Sequence, residues 1–210
     1  MVPATIRIIL DEHAALAAML RSLLMMLKQG PDEAKPEAFF DVLRAMLFYI
    51  DEFPERQHHP KESDLLFPKV MRAAPNTRPT IEQLERDHHG GEGSVRALQH
   101  QLIAWEVMGE SRRAVFEVAA RDYVAFYLEH MRLEEAVILP AAEAGLGAAD
   151  WKELDAAFAA NQDPLTGKYP SDPAYDRLYA RIVRTAPAPI GLGPSGAPEG
   201  AASAPHGAVR

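Results

Sequence analysis

The sequence repeats one pair of residues, a histidine followed four positions later by a glutamate, at His58 and Glu62 and again at His130 and Glu134. Positions i and i+4 lie on one face of an α-helix, one turn apart, so each pair can reach into one small volume. A single pair of this kind is common by chance. Two pairs in helix-like segments, with single histidines in the other helical segments, indicate a metal site inside a helix bundle.

The composition limits which ligands such a site can use. The 210 residues include no cysteine, which excludes disulfides, thiolate metal ligands and cysteine catalysis, and is compatible with the cytoplasm. Any metal would therefore be held by His, Asp and Glu. The net charge of −8 gives no basic surface for nucleic acid. No apolar run approaches 18 residues and the N-terminus lacks the features of a signal peptide, so we expect no membrane span and a cytoplasmic location.

Apolar residues at helical spacing predict an all-α chain. Pro54 and Pro60 each remove a backbone donor, so we expect a kink or a restart after residue 53, with the apolar face continuing to about residue 73. Three glycines, at positions 90, 91 and 93, interrupt the third helical pattern and suggest close packing or a local distortion. Four long helices joined by short loops imply an up-down-up-down four-helix bundle. The four predicted helices are 4–29, 36–53, 80–108 and 111–144.

Each of the four helices carries one histidine near its apolar face, and two of them add a glutamate. A lone buried histidine can simply be hydrogen-bonded to a neighbour, which is the alternative for His13. Burying six ionisable groups together without partners would cost several kcal/mol, and a pair of metal ions offsets that cost. The candidate ligands are His13 and His58 for one ion, His88 and His130 for the other, and Glu62 and Glu134 as bridges, with positions left open for water, dioxygen or another small ligand.

These residues occur in a recognisable set of motifs over roughly residues 5–145: Glu12-His13, His58-His59-Pro60-Lys61-Glu62, Asp87-His88 and His130-Met131-Arg132-Leu133-Glu134-Glu135. On these motifs the sequence resembles the hemerythrin-like, or HHE cation-binding, family. The resemblance implies a four-helix bundle with a non-haem, oxo- or hydroxo-bridged centre of two iron ions, held by the same six residues. Members of the family are linked to dioxygen binding, nitric oxide or redox sensing, iron sensing and repair of damaged iron centres.

The sequence departs from the oxygen-carrying hemerythrins at one position. Those proteins have a second histidine one turn before the ligand of the third helix, and Leu84 stands there in this chain. The departure suggests an additional open position on one iron. Glu85, His59 or His89 could fill the place, although a side chain exposed to solvent is the simpler interpretation of each.

A second metal class also matches part of the pattern. Glu55-x-x-His58 and Glu85-x-x-His88 have the Glu-x-x-His spacing of ferritin-like carboxylate bundles. That class requires a lone glutamate on each of the other two helices, where this chain has His13 and His130. The hemerythrin-like interpretation is therefore favoured.

The remainder of the chain is predicted to form an appendage. Residues 1–147 are assigned to the bundle and 148–185 to an extension with two short helices, whose Trp151, Phe158, Tyr175 and Tyr179 should pack against the bundle. Residues 186–210 form a tail rich in Pro, Gly and Ala that should be disordered beyond about residue 194.

The expected function follows from the predicted centre. We expect a protein that binds or senses dioxygen, nitric oxide or reactive oxygen species, or handles iron, and that is a metal-binding or sensing protein more than an enzyme. The alternative is an enzyme-like role, either repair of iron centres or reduction of peroxide or nitric oxide at the same site. A helical bundle that serves only as structure or binds a partner is the third interpretation. A small diatomic ligand is the expected partner, and the sequence indicates no particular protein partner.

Overall fold

The computed structural model describes residues 2–32, 36–161, 163–166, 176–186 and 191–192. Its α-helices are α1 (Ala4–Gln29), α2 (Pro36–Ile50), α3 (His59–Lys61), α4 (Phe67–Ala73), α5 (Arg78–Met108), α6 (Arg113–Leu133), α7 (Leu139–Gly145), α8 (Ala148–Phe158) and α9 (Asp176–Thr185). Three π-helical segments, Asp51–His58, Glu62–Leu66 and Glu134–Ile138, join α2 to α3, α3 to α4 and α6 to α7. Two 3₁₀ turns, Pro75–Thr77 and Glu110–Arg112, precede α5 and α6.

Prolines accompany each of the three π-helical segments. In each segment, the residue just before a proline donates its backbone N–H to the carbonyl five residues earlier. A proline lacks this donor and crowds the carbonyl of the preceding turn, and a wider turn accommodates both effects. The helix therefore continues from residue 36 to residue 73, and the expected restart after residue 53 does not occur. The three pairs are His59 to Pro54, Phe67 to Glu62 and Leu139 to Glu134, followed by Pro60, Pro68 and Pro140.

Two apolar clusters run across the bundle, one at each end, with a polar layer between them. Along α1 the chain passes from the cluster that contains Ile9 to the cluster that contains Leu20. The continuous helix of residues 36–73 passes through the two clusters in the opposite order. Helix α5 repeats the first order and α6 the second. This alternation is the up-down-up-down arrangement that the sequence predicted.

The four long helices form a closed ring. Helix α1 packs against α2 and α6, and α5 packs against the same two helices from the opposite side. The described residues contain no β-strand, so the all-α prediction is confirmed. Among the same residues, no helix is both long and apolar enough to cross a membrane.

The described residues of the extension pack against both ends of the bundle. Leu154 and Phe158 of α8 are fully buried in the apolar cluster that contains Ile6 and Ile9, and Trp151 is partly buried against it. Ile182 of α9 joins the cluster at the opposite end. The predicted contacts of Tyr175 and Tyr179 lie outside the described side chains, as does almost all of the tail from residue 187.

Helix α8 also supplies a cap for the first helix. The residue before α1 is Pro3, which makes no side-chain capping bond. Instead, Asp155 accepts hydrogen bonds from the backbone N–H of Thr5 at 2.7 Å and from its hydroxyl at 2.6 Å. A carboxylate at a helix N-terminus is stabilising because it satisfies free N–H groups and faces the positive end of the helix dipole.

We therefore expect Asp155→Ala to lower the free energy of unfolding by about 1–2 kcal/mol, the usual cost of losing a helix cap. Urea denaturation followed by circular dichroism measures this change. Glu153→Ala is the matched control, since Glu153 is exposed and, among the described residues, pairs with Lys69 at 3.0 Å. It should change stability by less than about 0.5 kcal/mol. Equal effects of the two substitutions would contradict the capping role.

Candidate metal centre

The polar layer between the two apolar clusters contains all six residues that the sequence predicted as ligands. Two groups of side chains can each hold a metal ion, because their nitrogen or oxygen atoms lie within 4.8 Å of one another. Glu62 belongs to both groups. The first group is His13, His58, Glu62 and Glu134, and the second is His59, Glu62, His88 and His130.

The two glutamates each face both sides of the layer. One oxygen of Glu62 lies 3.1 Å from Nε2 of His58, and the other lies 3.6 Å from Nε2 of His88. One oxygen of Glu134 lies 3.2 Å from Nε2 of His13, and the other lies 3.3 Å from Nε2 of His130. Each carboxylate therefore faces two histidines on opposite sides, a placement that would allow both carboxylates to be shared between two ions. The positions of these six side chains match the predicted arrangement. That they bind metal stays a prediction.

The atoms at the middle of this layer lack ordinary hydrogen bonds. Both carboxylate oxygens of Glu62, both of Glu134, and Nε2 of His58 are buried and make no hydrogen bond among the described residues. Leaving a buried polar atom unsatisfied costs about 1–3 kcal/mol, and more for a charged group. Five such atoms converging on one volume fit a set of metal ligands, since coordination satisfies all of them together.

The outer nitrogens of the histidines, by contrast, are all engaged. Because an ionised carboxylate can only accept a hydrogen bond, a histidine whose Nδ1 faces one carries its proton there and leaves Nε2 free to bind metal. The Nδ1 partners are Glu135 for His13 (3.0 Å), Glu12 for His58 (2.6 Å), Glu55 for His59 (3.2 Å), the hydroxyl of Ser63 for His88 (2.8 Å) and Asp87 for His130 (3.3 Å).

His59 is the site residue that the sequence interpretation underestimated. It was expected to be exposed, but only 4% of its surface is accessible, and its ring stacks on that of His88 with centroids 4.3 Å apart. The other two candidates for the missing histidine do not join the layer. His89 is exposed and its ring nitrogen contacts the backbone carbonyl of Glu85. Leu84 is fully buried in an apolar cluster, so the fifth imidazole comes from the second helix instead of the third.

A hydrogen-bonded network lies behind His59. The carboxylate of Glu55 accepts hydrogen bonds from the hydroxyls of Tyr123 and Tyr127 and from Nδ1 of His59. Burial raises the pKa of Glu55 to about 7, although the two tyrosines oppose the shift. Glu55 therefore orients a histidine and belongs to neither metal-binding group. This placement removes the first Glu-x-x-His pair on which the ferritin-like alternative rested.

Close packing against this network explains one of the three glycines of α5. A Cβ atom added at Gly91 would lie 2.7 and 2.8 Å from the two carboxylate oxygens of Glu55 and would overlap the hydroxyl of Tyr127. At Gly90 and Gly93 an added Cβ would meet nothing within 4 Å. Helix α5 is continuous through these positions, so it shows no local distortion there. Of the two expectations, close packing is met, at Gly91.

The pKa values of the imidazoles in the polar layer are shifted in opposite directions. Burial lowers the pKa of His88, and the neighbouring His59 lowers it further. Burial also lowers the pKa of His130, but the carboxylates of Glu134, Glu62 and Asp87 outweigh it and raise the pKa to about 9. Burial raises the pKa of Glu134, yet the positive charges of His130 and His13, whose Nε2 atoms face its oxygens, bring the pKa well below its usual range. Without a metal, protons compensate the carboxylates, and a cation would displace them.

The antiparallel helices bury imidazoles together with carboxylates that belong to the same layer. This combination is typical of helical bundles that bind metal. Comparison with known proteins specifies the class further. The chain matches the hemerythrin HHE cation binding domain over residues 4–142, and it belongs to this family. Over 123 residues it is 24% identical to an uncharacterized protein of Haemophilus influenzae, which covers 59% of this chain and 70% of that protein. The matched region includes every residue of the polar layer and ends before α8.

Proposed function

We propose that the chain binds two iron ions in the polar layer and uses them to bind or sense dioxygen, nitric oxide or a reactive oxygen species. The observation that supports this most is the pair of carboxylates, Glu62 and Glu134, whose oxygens are buried, unsatisfied and directed to two histidine pairs. Imidazole and carboxylate ligands suit iron. Bound iron would supply the redox chemistry and the open coordination position at which a diatomic ligand binds.

The protein itself contributes a fixed site that is shielded from bulk water. Four carboxylates and the hydroxyl of Ser63 hold Nδ1 of the histidines and keep the rings oriented, as the partners of metal-bound histidines commonly do. Apolar clusters flank the layer on both sides and shield it from bulk water. Such a site favours a small uncharged ligand over a charged substrate, because a charged group would lose its hydration on entry. No nucleic acid or membrane partner is proposed.

Optical titration tests this function. We expect protein loaded with iron(II) without air to change its charge-transfer absorption on exposure to dioxygen or nitric oxide, and to recover its first spectrum when the gas is removed. Zinc-loaded protein is the control, because zinc has no redox chemistry, and its spectrum should stay unchanged. An iron-loaded protein whose spectrum is insensitive to dioxygen, nitric oxide and peroxide would contradict the proposal.

An enzyme-like role at the same centre is the second candidate, namely reduction of peroxide or nitric oxide. It is favoured by the chain of hydrogen bonds from Tyr127 through Glu55 to His59, which can carry a proton towards the layer. Repeated turnover of peroxide or nitric oxide by the iron-loaded protein, slowed by Tyr127→Phe, would favour this candidate. A single stoichiometric and reversible change, equal in the two proteins, would favour binding or sensing.

A further inference from the structure

Beyond the family match, the described chain places the buried polar side chains of Asn161 and Asp163 next to the centre. Asn161 follows α8 and is 2% exposed. Its amide Nδ2 donates a hydrogen bond to a carboxylate oxygen of Glu12 at 3.1 Å, and its amide oxygen accepts one from Nζ of Lys61. An asparagine amide can make both bonds at once because it carries a donor and an acceptor.

The oxygen of Glu12 that Asn161 contacts is the same oxygen that holds His58. It lies 2.6 Å from Nδ1 of His58, so two donors converge on one acceptor atom. A glutamate side chain has three rotatable bonds, and a second donor fixes the direction in which its carboxylate faces. Lys61 adds to this restraint, since it lies between His58 and Glu62 in the chain and contacts Asn161 from the other side.

We propose that Asn161 is a positioning residue for the His13 and His58 half of the metal centre, and that it acts through Glu12. The inference rests on the proposed metal function and deepens it, because it gives the C-terminal extension a role at the site. Asn161 also forms part of the wall of a cavity of about 20 Å³ beside His13 and His58, large enough for roughly one water molecule. Its contacts lie on this side of the layer, so its effect is expected on one ion and not on both.

Cobalt(II) titration of the full chain, followed by optical absorption, tests the inference. Wild-type protein should bind two equivalents. Asn161→Ala should bind one equivalent with unchanged affinity and the other about tenfold more weakly, at the lower end of the range for partners of metal ligands. Asn161→Asp has the same size but cannot donate to Glu12, so it should be weakened at least as much. This second variant also supports the test if Asn161→Ala does not fold.

A double-mutant cycle separates positioning from general stability. If Asn161 acts through Glu12, then Asn161→Ala should have no further effect on cobalt affinity in a Glu12→Ala background, which has no acceptor for either donor. Asp155→Ala weakens the docking of the same extension without a contact to Glu12, so it should leave both cobalt affinities unchanged.

Each alternative result overturns a specific statement. Wild-type affinity in both Asn161 variants, equal weakening of both ions, or additive effects with Glu12→Ala would overturn the role of Asn161 while the metal centre stands. A wild-type chain that binds no cobalt would overturn the proposed function and this inference with it.

Discussion

Replacing Glu62 by alanine is expected to reduce bound iron from two ions per chain to less than one. Both predicted ion positions use an oxygen of this carboxylate, so one substitution removes a ligand from each. Metal-dependent stabilisation should disappear with it. In wild-type protein that stabilisation is about 4 kcal/mol for each bound ion when free metal exceeds its dissociation constant a thousandfold. Iron analysis and thermal unfolding with and without metal measure the two effects.

Two other glutamates are matched controls for this result. Glu85 is half-buried in α5 and belongs to neither metal-binding group, so Glu85→Ala should retain two ions. Glu55→Ala should retain them with an affinity lowered about tenfold to a hundredfold, because Glu55 only orients His59. Iron that is lost with Glu55→Ala but kept with Glu62→Ala would contradict the hemerythrin-like ligand set and support the ferritin-like one.

Substituting Gly91 by alanine should destabilise the protein although alanine favours helices. The added methyl group would overlap the hydroxyl of Tyr127 and both oxygens of Glu55. Those groups are buried and hydrogen-bonded to one another, and a tyrosine ring cannot retreat easily. Overpacking of this kind costs about 1–3 kcal/mol. Urea denaturation of the metal-free protein measures the change.

The neighbouring glycines provide the comparison within the same helix. Gly90→Ala and Gly93→Ala place their methyl groups in open space and should stabilise the protein by about 0.5–1 kcal/mol each. If all three substitutions stabilise the protein equally, the contact between α5 and the Glu55 network is not as close as described. If Gly91→Ala alone destabilises, it should also weaken metal binding at the His59 side.

Helical periodicity made the positions of six candidate ligands predictable. His13, His58, His88 and His130 lie near apolar stripes that must face one core, and each glutamate follows a histidine at one turn. The antiparallel bundle then places these residues of the four helices at the same height along its axis. This part of the layer needs only the spacing of residues along each helix.

His59 was missed for a reason that lies in the backbone. In a regular α-helix, adjacent residues point about 100° apart, so His58 and His59 should not both face inward. The π-helical segments on either side turn less per residue, and both rings enter the layer. The signal in the sequence was the repeated proline that follows each segment, at positions 60, 68 and 140.

The partners of the histidines were also beyond sequence reasoning. Glu12 stands next to His13 in the chain but holds His58, and Asp87 stands next to His88 but holds His130. Such exchanges depend on the rotation of each helix about its axis, which residue spacing leaves undetermined. The contact between Asn161 and Glu12 is harder still to predict, since 149 positions of sequence separate the two residues.

Anomalous X-ray scattering at the iron absorption edge, from crystals of the iron-loaded chain, tests the central claim most directly. Two peaks are expected in the polar layer, one beside His13 and His58 and the other beside His88 and His130, with Glu62 and Glu134 between them. The map would also show whether His59 contacts the second ion. A single peak, or iron bound elsewhere with the layer empty, would contradict the account.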